Sequence, residues 1–119
     1  MSDLAAGGIY RRGIASLALL ALLRQKDMYG YQLVQELEAQ SGGSIKIQEG
    51  SLYPVLYKLL DQGYISDKKV QTGKRMTRVY YHLEPAGEAY FQALLSEFQA
   101  VNNGVLRIVE GRAVVNGDN

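Results

Sequence analysis

The sequence predicts a mainly α-helical fold with one small β-hairpin, within a chain of 119 residues. Two observations support this fold class. Apolar residues recur at helical spacing in four stretches, and β-branched and aromatic residues gather in one later stretch. Hydrophobic residues make up 47% of the chain, which is enough for the core of one small domain.

Two helices are predicted in the first third of the chain. Residues 9–24 are apolar almost all round, which is typical of a helix buried on most sides. The apolar run within it is too short to cross a bilayer and lacks the order of a signal peptide, so we expect a cytoplasmic protein. Residues 29–40 are amphipathic, and this second helix is predicted to end at Ser41-Gly42-Gly43.

The third helix has the clearest pattern. Its apolar residues follow the one-face spacing of a helix: Leu52, Val55, Leu56, Leu59 and Leu60. Pro54 is tolerated in a first turn, which predicts a start near Gly50 or Ser51, and Gly63 predicts the end. The alternation of apolar and polar residues just upstream, at 44–48, suits a very short strand or an extended linker.

A β-hairpin is predicted next, with strands at 64–70 and 77–83 and a loop that contains Gly73. The last predicted helix spans residues 85–101, with Pro85 in its first turn. Asn102-Asn103-Gly104 is expected to interrupt it, and residues 105–109 to resume a helix.

The last helix shows two apolar stripes. The first contains Ala86, Ala89, Tyr90, Ala93, Leu94 and Val101. The second contains Phe91, Leu95, Phe98 and Asn102. Two stripes predict two partners, which we expect to be the core of the chain and a second subunit.

Charge is distributed unevenly along the chain, although the formal net charge is +1. Residues 50–83 carry a net charge of +4, and residues 84–119 carry −3. Residues 68–78 hold five cations and no acid: Lys68, Lys69, Lys74, Arg75 and Arg78. Such a basic hairpin either protects a sheet edge or contacts phosphates, and sequence alone leaves both open.

The order of three helices, a hairpin and a further helix is that of a winged helix-turn-helix followed by a C-terminal helix. In this fold the third helix enters the major groove of DNA and the hairpin reaches the adjacent backbone or minor groove. The face opposite the leucines carries side chains suited to phosphates and base edges: Ser51, Tyr53, Pro54, Tyr57 and Lys58. The alternative for Tyr53 and Tyr57 is a place in the core.

Enzymatic and metal-binding functions are disfavoured. There is no cysteine, so disulfides, thiolate metal sites and cysteine nucleophiles are excluded. A Ser-His-Asp triad would have to use the one histidine, His82, and the sequence has no nucleophile-elbow motif. We expect no catalytic residue, no metal and no cofactor. His82 is either a pH sensor or an ordinary surface or hydrogen-bonded residue.

Five motifs together resemble the PadR family of bacterial transcriptional regulators. They are residues 28–33 (MYGYQL), 49–56 (EGSLYPVL), 60–65 (LDQGYI), 78–83 (RVYYHL) and 86–87 (AG). The resemblance covers residues 14–101 and is closest to the shorter members of the family. It implies a homodimeric winged-helix repressor of a pseudo-palindromic operator in double-stranded DNA.

The resemblance also assigns residues to roles. It adds Tyr29 and the wing-tip cations Lys74 and Arg75 to the DNA contacts, and we include Arg78 of the wing. It implies dimerisation through the C-terminal helix, for which we predict Leu94, Leu95, Phe98 and Val101. We therefore divide the chain into a DNA-binding domain, residues 1–84, and a dimerisation helix with its tail, residues 85–119.

Some of the shorter members bind drugs or aromatic compounds at the dimer interface, which implies a small apolar or aromatic effector here. The corresponding residues are Leu17, Phe91, Leu95, Phe98 and Asn102. Phe98 stands where a multidrug-binding member has Trp, so Phe98 as plain interface core remains open. The alternative function is a winged-helix module that binds an acidic protein partner.

Overall fold

A computed structural model describes residues 4–111, with side chains described from residue 13. The elements in chain order are α1 (Leu4–Gln25), β1 (Met28–Tyr29), α2 (Gly30–Gln40), α3 (Glu49–Asp61), β2 (Ile65–Gln71), β3 (Thr77–Leu83) and α4 (Pro85–Glu110). The predicted mainly α-helical fold with a β-hairpin is confirmed. None of the helices in residues 4–111 is long and apolar enough to cross a membrane. The C-terminal tail included in the predicted dimerisation region, residues 112–119, lies outside the described residues.

Helix α1 supplies the centre of the core. Its buried side chains are Ala15, Leu19, Leu20, Leu22 and Leu23. The leucines of α2 and α3 and Phe91 of α4 pack around it in one cluster. The described side chains of α1, from residue 13 onwards, are therefore buried on one side of the helix by the same chain, while Leu17, Ala18 and Ala21 are half-buried. The helix begins at Leu4, five residues before the predicted start.

The sheet contains one strand more than the sequence predicts. Its order is β1-β3-β2, with β3 antiparallel to both neighbours. β1 consists of Met28 and Tyr29, which pair with Tyr81 and Tyr80. A strand of two residues cannot display an alternating pattern, since alternation needs at least four. β1 exists because β3 offers it a partner.

The register divides the sheet into two faces, because directly opposed residues project to the same side. The inner face carries Met28, Ile65, Val79, Tyr81 and Leu83 against the core. The outer face carries Tyr29, Ser66, Lys68, Val70, Arg78, Tyr80 and His82.

Helix α3 begins earlier than predicted. It starts at Glu49, so Pro54 is the sixth residue and lies in the second turn, contrary to the expectation of a first-turn proline. Proline removes the N–H that would bond to the carbonyl of Gly50. Both Gly50 and Pro54 are exposed, so water can hydrate that carbonyl and the helix continues.

The end of α3 is where the sequence places it. Gly63 has a φ of 78°, the left-handed conformation that favours glycine. The Gly63 N–H donates to the Leu60 carbonyl, and the Tyr64 N–H donates to the Leu59 carbonyl, each at 3.0 Å. This pair of bonds is a Schellman motif, which turns the chain from α3 into the hairpin. The upstream alternation at 44–48 forms an extended linker and no strand.

Helix α4 is continuous, and the predicted interruption at Asn102-Asn103-Gly104 is wrong. The helix has 26 residues and ends at Gly111, whose φ of 73° caps it. Asparagine and glycine cost at most about 1 kcal/mol each within a helix. The helix-compatible turns on either side outweigh that cost.

The predicted assignment of one partner to each stripe of α4 is also wrong. Phe91 from the second stripe is buried in the chain's own core, beside Tyr90 and Leu94 from the first. Ala86, Ala89 and Ala93 of the first stripe are exposed. The surroundings of α4 therefore differ between its N-terminal and C-terminal halves and not between its two faces. The first half of α4 packs on the core, and the second half, residues 98–110, exposes its apolar side chains.

Four contacts fix the first half of α4. A Cβ atom at Gly87 would lie 2.0 Å from the Tyr64 carbonyl oxygen, so only glycine permits this approach. The Tyr90 ring stacks on the Tyr64 ring with a centroid distance of 4.2 Å. Arg24 of α1 lies over the Phe91 ring and pairs with Glu88 at 2.7 Å.

Candidate nucleic-acid interface

The exposed face of α3 carries most of the predicted contact residues. Leu52, Val55, Leu56 and Leu59 are buried on the opposite face and fix the orientation of the helix. Ser51, Pro54, Tyr57 and Lys58 are exposed, and Tyr57 reaches 59% exposure. A hydroxyl, a phenol and an ammonium on one free face can donate to phosphates and base edges.

Tyr53 differs from these four residues because it is half-buried. Its ring packs beside Gly30, the first residue of α2, and lies 5.9 Å from the Tyr57 ring in a stacked arrangement. Burial, with smaller contributions from Glu49 and Tyr57, raises the pKa of the Tyr53 phenol. The phenol therefore stays protonated at neutral pH. Tyr53 thus packs inward and also borders the exposed face, and its contact with DNA stays a prediction.

Tyr29 and Arg78 lie next to each other on the outer face of the sheet. The Arg78 guanidinium carbon is 4.2 Å from the centre of the Tyr29 ring. Tyr80 meets the same ring edge-on, with a centroid distance of 5.4 Å. A cation over an aromatic face is attracted by the ring quadrupole. The two predicted contact residues thus form one unit that joins the start of α2 to the wing.

The loop between β2 and β3, residues 72–76, presents Lys74 and Arg75 to solvent. The Gln71 side-chain amide donates to the carbonyl of Gly73 at 2.9 Å and to that of Lys74 at 3.4 Å. The Thr72 N–H closes the loop by donating to the Met76 carbonyl. Sequence reasoning overlooked Gln71, because the recognised side-chain turn signals are Asn, Asp, Ser and Thr and do not include glutamine.

The basic residues of the hairpin point in different directions. Lys68 and Arg78 share the outer face of the sheet, while Lys69 projects to the inner side and Lys74 and Arg75 occupy the loop. None of the five forms an ion pair with a carboxylate among residues 13–111. Their charge is therefore available to an anionic partner.

His82 is an exposed residue of β3 whose Nδ1 lies 2.8 Å from Asp27 Oδ1. The hydrogen bond to Asp27 raises the pKa of His82. The pair links the sheet to the segment between α1 and β1. This arrangement matches the expectation of a hydrogen-bonded surface histidine. Tyr81, the preceding residue, faces the core, and burial raises its pKa to about 12.

The predicted dimer residues divide between two environments. Leu94 and Leu95 are half-buried against the chain's own core, while Phe98 and Val101 are exposed. Beyond them the bare apolar surface continues through residues that the prediction omitted: Val105, Leu106, Ile108 and Val109. The predicted interruption of the helix hid this extension.

The predicted effector residues are similarly divided. Phe91 is 5% exposed, beneath Arg24, and Leu17 packs against the same core. Leu95 borders that core, and Phe98 and Asn102 are exposed farther along α4. Within one chain, Phe91 and Leu17 are thus core residues, and the accessible members of the set lie on α4.

The described residues offer no cluster of metal ligands. No group of three or more histidine, aspartate or glutamate side chains among the described residues could hold a metal ion.

Sequence and structure comparisons connect the chain with gene regulation. The model of the Transcriptional regulator PadR-like family matches residues 19–93. An uncharacterised protein of Lysinibacillus sphaericus is 30% identical over 100 residues, which cover 84% of this chain and 92% of the relative.

Solved structures agree with these matches. A transcriptional regulator from Clostridium thermocellum superposes with a TM-score of 0.76 at 26% identity, over 82% of this chain and 95% of that one. Bacillus subtilis PadR in complex with operator DNA superposes with a TM-score of 0.64 at 26% identity, over 69% of this chain and 47% of that one. The chain thus spans about half the length of Bacillus subtilis PadR. These matches show that the protein belongs to the PadR-like family of transcriptional regulators, which are DNA-binding winged-helix proteins and not enzymes.

Proposed function

We propose that this protein is a homodimeric repressor that binds a pseudo-palindromic operator through α3 and the wing. The single observation that carries the proposal is the free polar face of α3 beside a wing whose cations lack carboxylate partners in the described residues. α3 provides a helix that fits the major groove. The wing provides charge for the neighbouring phosphates.

The contacts divide into two kinds. Ser51, Tyr57 and Lys58 on α3 reach base edges, so they set sequence preference. Lys74 and Arg75 neutralise phosphates and release condensed counterions, so they set affinity and its dependence on salt. Tyr29 and Arg78 contact the DNA backbone next to the wing, and Pro54 packs against the same DNA backbone.

A second copy of the chain is the proposed partner of α4. The apolar residues from Phe98 to Val109 would otherwise stay in water, and contiguous apolar surface of this kind marks an interface. Residues 85–119 are accordingly the proposed dimerisation region, and residues 1–84 the DNA-binding domain.

Repression is proposed from the relatives. The curated Bacillus subtilis relative is described as Negative transcriptional regulator PadR and is 26% identical over 84 residues. Occupation of an operator by a dimer blocks access of other proteins to the same DNA. The cytoplasm, where bacterial DNA lies, is the proposed location.

Release by a small apolar or aromatic effector is the last part of the proposal. Phe98 is exposed on α4, with Leu95 and Asn102 on the same side of the helix. A ligand between two such helices would change DNA binding if it bound one inter-wing spacing more tightly than another. Thermal shift of the protein with a panel of planar aromatics tests this, and no shift with any compound would leave a repressor without an effector.

The test of DNA binding is selection from a random duplex library, followed by titration of the selected duplex. Two-fold symmetry predicts half-sites about 10 base pairs apart, centre to centre, or a multiple of that spacing. Lys74→Ala/Arg75→Ala should weaken binding to selected and random duplexes alike and reduce the salt slope by about 2 units per subunit, or about 4 units for the dimer. Asp61→Ala, on the exposed end of α3, serves as a control that leaves the cations in place.

An unchanged salt slope in the double variant would contradict the wing assignment. Absence of binding to any duplex at low salt would contradict the proposed function. That result would favour the alternative, a winged-helix module for an acidic protein, because the same unpaired cations could serve it.

A further inference from the structure

The contact between Gly30 and Tyr53 is closer than ordinary packing. A Cβ atom at residue 30 would lie 2.5 Å from Tyr53 Oη, 3.0 Å from Cζ and 3.3 Å from Cε1. Gly30 is buried at the start of α2, and its φ lies outside the positive range that favours glycine. The backbone conformation therefore does not require a glycine here. A methyl group at residue 30 would instead force the Tyr53 phenol to shift.

The same ring also reaches the exposed face of α3. Tyr53 and Tyr57 are one helical turn apart, and their rings stack with a centroid distance of 5.9 Å and an interplanar angle of 30°. Tyr57 is exposed, whereas Tyr53 is half-buried. The inner ring thus supports the outer ring, and its place against Gly30 determines where that support lies.

The residue before Gly30 makes the equivalent contact with the wing. Tyr29 carries Arg78 over its ring at 4.2 Å and meets Tyr80 edge-on. Two consecutive residues therefore contact the two DNA-facing elements, Gly30 through Tyr53 of α3 and Tyr29 through Arg78 of β3. Because Tyr29 and Gly30 are adjacent, a displacement of α3 relative to α2 would also change the contact between Tyr29 and the wing.

We propose that Tyr53 is a positioning residue that, by packing on Gly30, sets the angle of α3 and the placement of Tyr57 relative to the wing. Tyr53 acts through Tyr57 and does not itself read a base. This inference rests on the proposed function, since it concerns how the DNA-facing surface is held. Its effect is on the discrimination between sequences, because misplacing Tyr57 harms base contacts more than phosphate contacts.

A double-mutant cycle tests the contact. The variants are Gly30→Ala, Tyr53→Phe and the two combined, titrated with the selected duplex and with a scrambled duplex at one salt concentration. Gly30→Ala should weaken binding to the selected duplex by about tenfold while binding to the scrambled duplex changes by less than about twofold. Tyr53→Phe removes the atom nearest the new methyl group. The combined variant should therefore recover to within about threefold of the wild type.

Rescue is the readout that a purely structural role for glycine would not give. Equal losses in Gly30→Ala and in the combined variant would overturn the proposal, and so would wild-type binding by Gly30→Ala. Thermal unfolding of each variant shows whether the fold is intact. If Gly30→Ala does not fold, Tyr53→Leu decides, because it removes the ring beneath Tyr57 and leaves Gly30 unchanged.

Tyr53→Leu should lose discrimination between the two duplexes by about tenfold, with little change on the scrambled one. Unchanged discrimination would overturn the proposal. The proposed function fails separately: in that case the wild-type protein itself binds neither duplex.

Discussion

The two halves of α4 both carry apolar side chains at helical spacing but lie in different surroundings. The first half meets α1 and the hairpin through Gly87, Phe91 and Leu94, whereas Phe98 and Val105 in the second half face solvent. The same pattern in the sequence therefore serves two purposes, folding in one half and, as proposed, assembly in the other. Periodicity reveals an apolar face but does not reveal which molecule covers it.

The sharpest comparison uses the two phenylalanines of the protein. Phe91→Ala opens a cavity beneath Arg24 and should lower the free energy of unfolding by about 4 kcal/mol. At concentrations low enough for the chain to be monomeric, Phe98→Ala should change it by less than about 1 kcal/mol, and at higher concentrations it should weaken the proposed dimer. Urea denaturation measures the first effect and sedimentation equilibrium the second. Equal losses of folding stability would contradict the division of α4 into two halves.

Substitution of alanine for the two glycines of α4 should change the free energy of unfolding in opposite directions. Gly87→Ala places a methyl group against the Tyr64 carbonyl and should destabilise the protein by about 3 kcal/mol. No atom lies within 4 Å of a Cβ at Gly104, so Gly104→Ala should stabilise the helix by about 0.5–1 kcal/mol. Thermal unfolding of both variants, with the wild type alongside, checks the two signs. Stabilisation by alanine at both positions would show that the hairpin does not hold the first half so closely.

A charge on the second half of α4 should weaken the proposed dimer without unfolding the chain. Val105→Lys places an ammonium among the exposed apolar side chains of residues 98–109, and we expect a rise in the dimer dissociation constant of about 30-fold, equivalent to about 2 kcal/mol. Ala100→Lys is the control, because Ala100 is exposed on the opposite side of the same helix. Sedimentation velocity over a dilution series compares the two. The same behaviour in both variants would place the interface elsewhere.

The smallest effect concerns Glu88, which anchors the first half. Hydrogen bonds from Gln92 and then Arg24 hold the pKa of Glu88 below its ordinary value of 4.5. A lowered pKa in the folded state means that the carboxylate stabilises the fold above pH 4.5 and that this contribution is lost as the pH falls through the lowered value. Glu88→Gln should therefore be slightly less stable than the wild type at neutral pH. The two urea midpoints should converge in acid, and a persistent difference would contradict the assignment.

The sequence predicted best those features that depend on local pattern. The leucine stripe of α3, the stop at Gly63 and the hairpin on either side of Gly73 were each predictable, because neighbouring residues suffice to define them. The exposed positions of Ser51 and Lys58 followed from the same periodicity.

The features that sequence reasoning missed depend on contacts between distant residues. β1 forms against Tyr80 and Tyr81, about fifty residues away, and no local pattern announces it. Tyr53 turns inward because Gly30 leaves room for its ring, which is visible only when α2 and α3 are packed together. Helix α4 continues through Asn102 because local breakers of modest strength do not stop a helix.

The exposure of the second half of α4 has a consequence for how the pairing of such regulators changes in evolution. Since residues 98–110 take little part in the core of the chain, they can change without altering whether the winged helix folds. In the proposed dimer those residues decide which chains recognise each other. Duplicated genes could thus acquire separate pairing preferences through a few substitutions on one helix, while both products keep the same fold and the same way of reading DNA.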